Sequence, residues 1–146
     1  MKLSELQDQW SQDSKIDETN LGRESTKVPT LHAKYLNYLS STRLNLRKAE
    51  SDYYNTRRKK YKYYRGEMTK TELEEEGWDQ WQGNKPLKNE MDEFLQCDAD
   101  LIALQDKVEY FKTVIAHLEQ VLRSLNSRTW DIKTAVEWAK FTNGMM

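Results

Sequence analysis

An all-α fold, with long helices on either side of one acidic linker, is what this 146-residue sequence predicts, and three observations carry the prediction. Five glycines and two prolines are few for the length, and the breakers gather between Gly66 and Pro86. Apolar residues recur at spacings of three and four on both sides of that cluster, the period of a helix face. The third observation is the strongest: Phe94, Cys97, Leu101, Leu104, Val108, Phe111, Ile115, Leu118, Leu122 and Leu125 alternate those spacings without a break over 32 residues, which reads as a heptad seam.

In chain order, Leu3, Leu6 and Trp10 fall at helical spacing with Ser4 and Gln7 placed as a capping box, so a short amphipathic helix is predicted. Residues 13–30 hold Asp13, Ser14, Asp17, Thr19, Asn20, Gly22 and Pro29 and read as a loop, with the next helix starting near Pro29 or Thr30. From there Leu31, Tyr35, Leu39, Thr42, Leu46, Ala49 and Tyr53 make one stripe along a helix of about nine turns that reaches Arg65. Past Tyr53 the stripe lands on Arg57 and Lys60, so the end of this helix is basic nearly all round and is expected to project from the body of the protein. Residues 66–90 form the acidic linker, with a helical turn over Thr71–Glu76; Trp78 and Trp81, unusual in so polar a stretch, read either as docked onto a neighbouring helix or as a partner contact. The seam then makes a long helix, widened by Leu95, Ile102, Tyr110, Val114 and Val121 beyond a two-stranded face, which favours a multi-helix bundle or higher oligomer. Asn126, Ser127 and Arg128 predict a break before a last helix whose Trp130, Ile132, Val136, Trp138, Ala139 and Phe141 require a partner surface. The expected organisation is therefore residues 1–65 as an N-terminal helical region with a basic end, the region to which single-strand binding is assigned below, 66–90 as acidic linker, and 91–146 as a C-terminal helical oligomerisation region.

A mean hydropathy of -0.98 and 32% charged residues leave little apolar material for a monomeric core, so self-association is expected. A single cysteine excludes an intrachain disulfide, which makes a reducing cytosol the default setting. The opening MKLSELQDQW has no apolar core of signal-peptide length, and no stretch approaches the ~20 apolar residues of a membrane span. There is no glycine-rich phosphate loop, and one cysteine with the distant His32 and His117 makes neither a metal cluster nor a triad. Cys97 is expected to be buried on the seam, and His117 to lie on a helix surface. No enzyme, cofactor or metal is predicted.

What remains is charge. Residues 31–65 carry ten basic and two acidic side chains, whereas residues 66–146 carry nine basic and sixteen acidic. Within the first block, Arg57–Arg65 reads RRKKYKYYR. Arg57, Arg58, Lys59, Lys60, Lys62 and Arg65 suit phosphate neutralisation, and Tyr61, Tyr63 and Tyr64 offer stacking faces to unpaired bases, a pairing of chemistries that fits single-stranded nucleic acid. The acidic linker downstream is placed to mask the run when no ligand is present.

The chain resembles the UvsY family, the recombination mediator proteins of tailed bacteriophages, through Leu3, Leu6, Gln7, Ile16, Asp17, Thr19, Leu21, Glu24, Lys34, Leu36, Asn37, Ser41, Glu50 and the Tyr63, Tyr64, Gly66 ending. Beyond Gly66 the likeness rests on helical pattern. The resemblance implies a non-catalytic, all-helical homo-oligomer of six or seven subunits in the cytoplasm of the infected host. Such a protein binds single-stranded DNA and helps load a RecA-like phage recombinase onto strands covered by the phage single-stranded-DNA-binding protein. The family's basic segment falls here on Arg58 and Lys60, with lysine and arginine exchanged in order, and this chain adds Lys59, Lys62 and Arg65. The family's C-terminal part serves assembly, which maps onto Leu101, Leu104, Val108, Phe111, Ile115, Leu118, Leu122 and Leu125 of the seam and onto Trp138. Avidity joins the two halves, because sites linked on one particle gain about 100-fold to 10,000-fold over one site alone. The competing reading is a coiled-coil adaptor whose basic patch docks an acidic protein face; a membrane-surface role is weaker, since the basic helix end has no opposing apolar face.

Overall fold

A computed structural model describes residues 1–144 of the chain. Five helices follow in order, α1 (Leu3–Asp13), α2 (Leu21–Tyr64), α3 (Lys70–Glu76), α4 (Met91–Gln96) and α5 (Ala99–Thr142), and no strand occurs among the described residues. None of these helices is long and apolar enough to cross a membrane. The fold is all-α, as the periodicity predicts. The helices build two compact units, one from Met1–Leu44 together with the chain from Lys112 onward, the other from Asn45–Phe111.

In the first unit, Leu6, Tyr35, Leu39, Val114, Leu118, Val121, Leu122 and Leu125 form the core, with Leu3, Trp10, Leu31, Tyr38 and Ile115 packed around them. Each buried Leu or Val of that set contributes roughly 1.5–3 kcal/mol. The polar edge of this core is closed by Asp13, whose Oδ2 accepts from Lys34 Nζ at 2.7 Å and from the Tyr35 hydroxyl at 2.8 Å. Burial works to raise the Asp13 pKa, but those two hydrogen bonds and the charges of Lys34 and Arg128 outweigh it and hold the carboxyl below its ordinary value. Tyr35 is pushed up, by burial first and then by its bond to Asp13.

Three local expectations change here. Helix α1 is capped by Glu5, whose carboxylate accepts from the Lys2 backbone N–H at 3.2 Å, and not by the Ser4 and Gln7 box. Helix α2 begins at Leu21 and runs through Pro29, so the loop is confined to residues 14–20. Its start is fixed by Asn20, whose carbonyl accepts from Glu24 N–H at 3.1 Å and whose Oδ1 accepts from Arg23 N–H at 3.4 Å. Pro29 forfeits one helical hydrogen bond, a cost that the flanking turns absorb because the helix is anchored on both sides of it. The break foreseen at Asn126–Arg128 is absent: α5 is continuous, and Arg128 is a buried clamp. Its Nη1 donates to the Asp13 carbonyl at 2.7 Å and its Nη2 to the Lys15 carbonyl at 2.9 Å, with Glu24 Oε2 at 3.6 Å. Without Gly or Pro, a polar triplet does not stop a helix when its cation has partners. His117 is half-buried, and its Nε2 makes no hydrogen bond within the described residues.

In the second unit the remainder of α2, α3, α4 and the first turns of α5 enclose Tyr64, Met91, Leu95 and Leu101, with Tyr53, Tyr63, Trp81 and Phe94 packed on them. The seam does not run unbroken from Phe94. Helix α4 ends at Gln96, and Asp98 caps α5 by accepting from Asp100 N–H at 3.0 Å and from Leu101 N–H at 3.1 Å through Oδ1. The corner turns Cys97 outward, so the cysteine is exposed and not buried.

Candidate nucleic-acid interface

The basic end of α2 stops at Tyr64 because Gly66 adopts φ +70, a left-handed conformation that a side chain disfavours. The reversal is closed by Gly66 N–H to the Tyr63 carbonyl at 3.0 Å and Glu67 N–H to the Lys62 carbonyl at 3.1 Å. Thr69 then opens α3 with a capping box to Glu72, and Gly77, at φ +72, closes it and turns Trp78 back toward α2.

That path lays carboxylates along the cations. Lys62 Nζ meets Glu72 Oε2 at 2.9 Å, Lys59 Nζ meets Glu76 Oε1 at 2.6 Å, and Arg65 Nε meets Glu67 Oε1 at 3.1 Å. Arg57 reaches Asp92 at 3.4 Å. The hydrogen bond from Lys62 comes first among the causes that hold the Glu72 carboxyl below its ordinary value. All four pairs lie at the surface, where an ion pair is worth about 0–1 kcal/mol, so a phosphate chain can compete for these cations.

Lys60 is different. It is 6% exposed, and its ammonium lies 2.8 Å from Asp100 Oδ2, 3.2 Å from Asp98 Oδ2 and 4.1 Å from the centre of the Trp78 ring. The expectation that the basic end projects free of the body is therefore corrected: the partners that a buried cation needs come from the start of α5. Tyr64 is buried beside it and donates to Asp98 Oδ2 at 2.6 Å. Burial and that bond push the tyrosine hydroxyl well above its ordinary pKa. For Asp98, burial works upward, but the Tyr64 and Leu101 hydrogen bonds and the Lys60 charge prevail and lower it. Tyr63 donates to the Asp79 carbonyl at 2.6 Å and lies edge-on to Trp78 at 5.5 Å. Trp81 packs edge-on against Tyr64 at 4.9 Å, so both linker tryptophans dock on α2.

Two members of the run stay open. Arg58 is exposed, and its side chain makes no ion pair or hydrogen bond among the described residues; Tyr61 is exposed and lies under the Arg65 guanidinium, 5.6 Å from ring centre to Cζ. Sequence reasoning missed Asp98 and Asp100, although an Asp three residues ahead of Leu101 is an N-cap signal. Of the seam residues, Leu101, Val108, Leu118, Leu122 and Leu125 are buried within the chain, Leu104, Phe111 and Ile115 are half-buried, and Trp138 is 66% exposed. Among the described residues no group of histidines, cysteines and carboxylates is arranged to hold a metal ion.

A basic helix end flanked by tyrosines, on an all-helical chain, matches a known family over most of its length. The family model described as "Recombination, repair and ssDNA binding protein UvsY" covers residues 9–145. The chain belongs to the UvsY family. The recombination protein UvsY of Enterobacteria phage T4 is 25% identical over 144 residues, 99% of this chain and 99% of that protein. A crystal structure of the bacteriophage T4 recombination mediator protein UvsY, in lattice type II, superposes with a TM-score of 0.84 at 24% identity over 98% of both chains. A second, in lattice type IV, gives 0.84 at 23% identity over 97% of this chain and 99% of that one. Likeness in sequence and in fold thus extends through the C-terminal half, beyond the residues up to Gly66 that first carry the resemblance.

Proposed function

We propose that the chain is a recombination mediator that binds single-stranded DNA and promotes loading of a RecA-like recombinase onto strands covered by single-stranded-DNA-binding protein. It serves phage recombination, replication and repair in the cytoplasm of the infected host. The observation that carries this reading is the family match over residues 9–145, a span that contains the whole basic end of α2. The exposed Arg58 and Tyr61 supply a phosphate contact and a stacking face, and the cations held only by surface carboxylates add charge as a strand displaces those acids. Lys60 acts in this scheme from behind, by seating the end of α2 on Asp98 and Asp100. The functional unit is a homo-oligomer, six or seven copies by family analogy, whose basic ends bind together and gain by avidity. Its role is binding and hand-over, without catalysis.

One observation favours a second reading. Lys59 and Lys62 already hold the carboxylates of an α-helical segment, so an acidic protein face is also chemically acceptable. Fluorescence anisotropy of a labelled single-stranded oligonucleotide across a salt series, with duplex as competitor, separates the two. The mediator reading expects binding that falls with salt and prefers the single strand, and it expects Arg58→Ala to lower the salt slope by about 0.7 with the assembly intact. Equal competition by duplex, or no binding at low salt, would move the function to the adaptor.

A further inference from the structure

Along α2 the residues Arg47, Ser51, Tyr54, Arg58, Tyr61 and Arg65 follow one another at spacings of four and three, which places them on one face, and every one of them is exposed. Tyr54 is 65% exposed and Tyr61 36%, and neither belongs to a core cluster. Among the described residues the one ring contact of Tyr54 is edge-on to Tyr53 at 5.4 Å. Arg47, like Arg58, makes no ion pair or hydrogen bond through its side chain among the described residues. Within the basic run the other cations are engaged: Lys60 is buried, Arg57, Lys59 and Lys62 face carboxylates, and Arg65 shares a surface pair with Glu67 at 3.1 Å. A large aromatic left in water between unpaired arginines has no packing role to explain it.

We propose that single-stranded DNA lies along this face and is gripped by a ladder of alternating arginine and tyrosine, Arg47, Tyr54, Arg58, Tyr61 and Arg65, which extends the site two turns and more behind the basic run. The inference rests on the single-strand reading above and specifies its chemistry. Tyrosine faces stack only on bases that are not already stacked in a duplex, while the arginines between them neutralise phosphates. Tyr54 and Tyr61, like Arg58 and Arg65, recur after seven residues, a rise of ~10.5 Å along the helix, and Arg47 lies another seven residues before Tyr54. From Arg47 to Arg65 the ladder covers ~27 Å of helix, room for several nucleotides of an unpaired strand. Stacking tolerates any base, so recognition is by strand type and not by sequence.

The test measures oligonucleotide anisotropy for the full chain carrying Tyr54→Ala, Tyr54→Phe or Arg47→Gln, with helicity checked by circular dichroism. Tyr54→Ala is expected to weaken single-strand binding about 5-fold to 100-fold with an unchanged salt slope, and Tyr54→Phe to restore it. Arg47→Gln is expected to lower the salt slope by about 0.7. If Tyr54→Ala and Arg47→Gln bind as the parent does while Arg58→Ala is weakened, the ladder is overturned and the single-strand reading survives. If the parent chain itself does not prefer single-stranded DNA, that reading fails and takes the ladder with it.

Discussion

Replacing Lys60 by alanine would leave Asp98 buried with its charge no longer opposed by the ammonium 3.2 Å away, a loss that costs roughly 3–5 kcal/mol at a buried pair. Urea unfolding should show that loss as a lower midpoint, whereas Arg58→Ala, on the exposed side of the same turn, should stay within about 0.5 kcal/mol of the parent. The run of cations is visible in the sequence; which of them are free is not, because that depends on the reversal at Gly66 and on a cap thirty-odd residues downstream. The carboxyl of Asp98 carries a second prediction. Its folded-state pKa lies below the ordinary 3.8, so its stabilisation is complete above that value and is lost as pH falls through the folded one. Asp98→Asn should therefore be less stable than the parent at neutral pH, and the gap should close as the pH is taken below the ordinary carboxylate value. A gap that persists undiminished in acid would assign the effect to packing or capping and not to charge.

Among the elements, α3 lays two carboxylates on the basic end, Glu72 on Lys62 and Glu76 on Lys59. If these pairs compete with a nucleic-acid backbone, the double substitution Glu72→Gln, Glu76→Gln should tighten single-strand binding and steepen its salt dependence by up to ~1.4, since two more cations become available to phosphates. An unchanged slope would mean that these lysines do not reach the strand. The helix itself was legible as a turn over Thr71–Glu76, and the Thr69 cap with Glu72 adds Lys70 at its start, while Gly77 ends it. The beginning of α2 was hidden because Asn20 looks alike as a cap and as a loop residue, and Pro29 offered a more conspicuous, wrong start. The corner between α4 and α5 was hidden for the opposite reason: the apolar spacing of three and four persists across it, so periodicity alone cannot register that Asp98 interrupts the helix.

For the whole molecule, the apolar seam that seemed available for assembly is largely spent on the chain's own interior, with Leu101, Val108, Leu118, Leu122 and Leu125 all buried in one copy. Besides Ile102 and Tyr110 nearer its start, α5 leaves Trp130, Trp138 and Phe141 outside, the last two stacked at 5.8 Å, and aromatic groups of this kind dominate protein interfaces. The assembly proposed above should accordingly depend on them. Trp138→Ser with Phe141→Ser is expected to lower the mass seen by sedimentation equilibrium toward the 17.4 kDa of one chain without loss of helicity, and an unshifted mass would send the interface elsewhere. The one cysteine offers the means to count what sediments. Cys97 is exposed at the α4–α5 corner and has no second thiol in its own chain, so each subunit accepts a single maleimide dye and oxidation can never join more than two chains. The number of bleaching steps from one labelled particle is then the number of subunits in it.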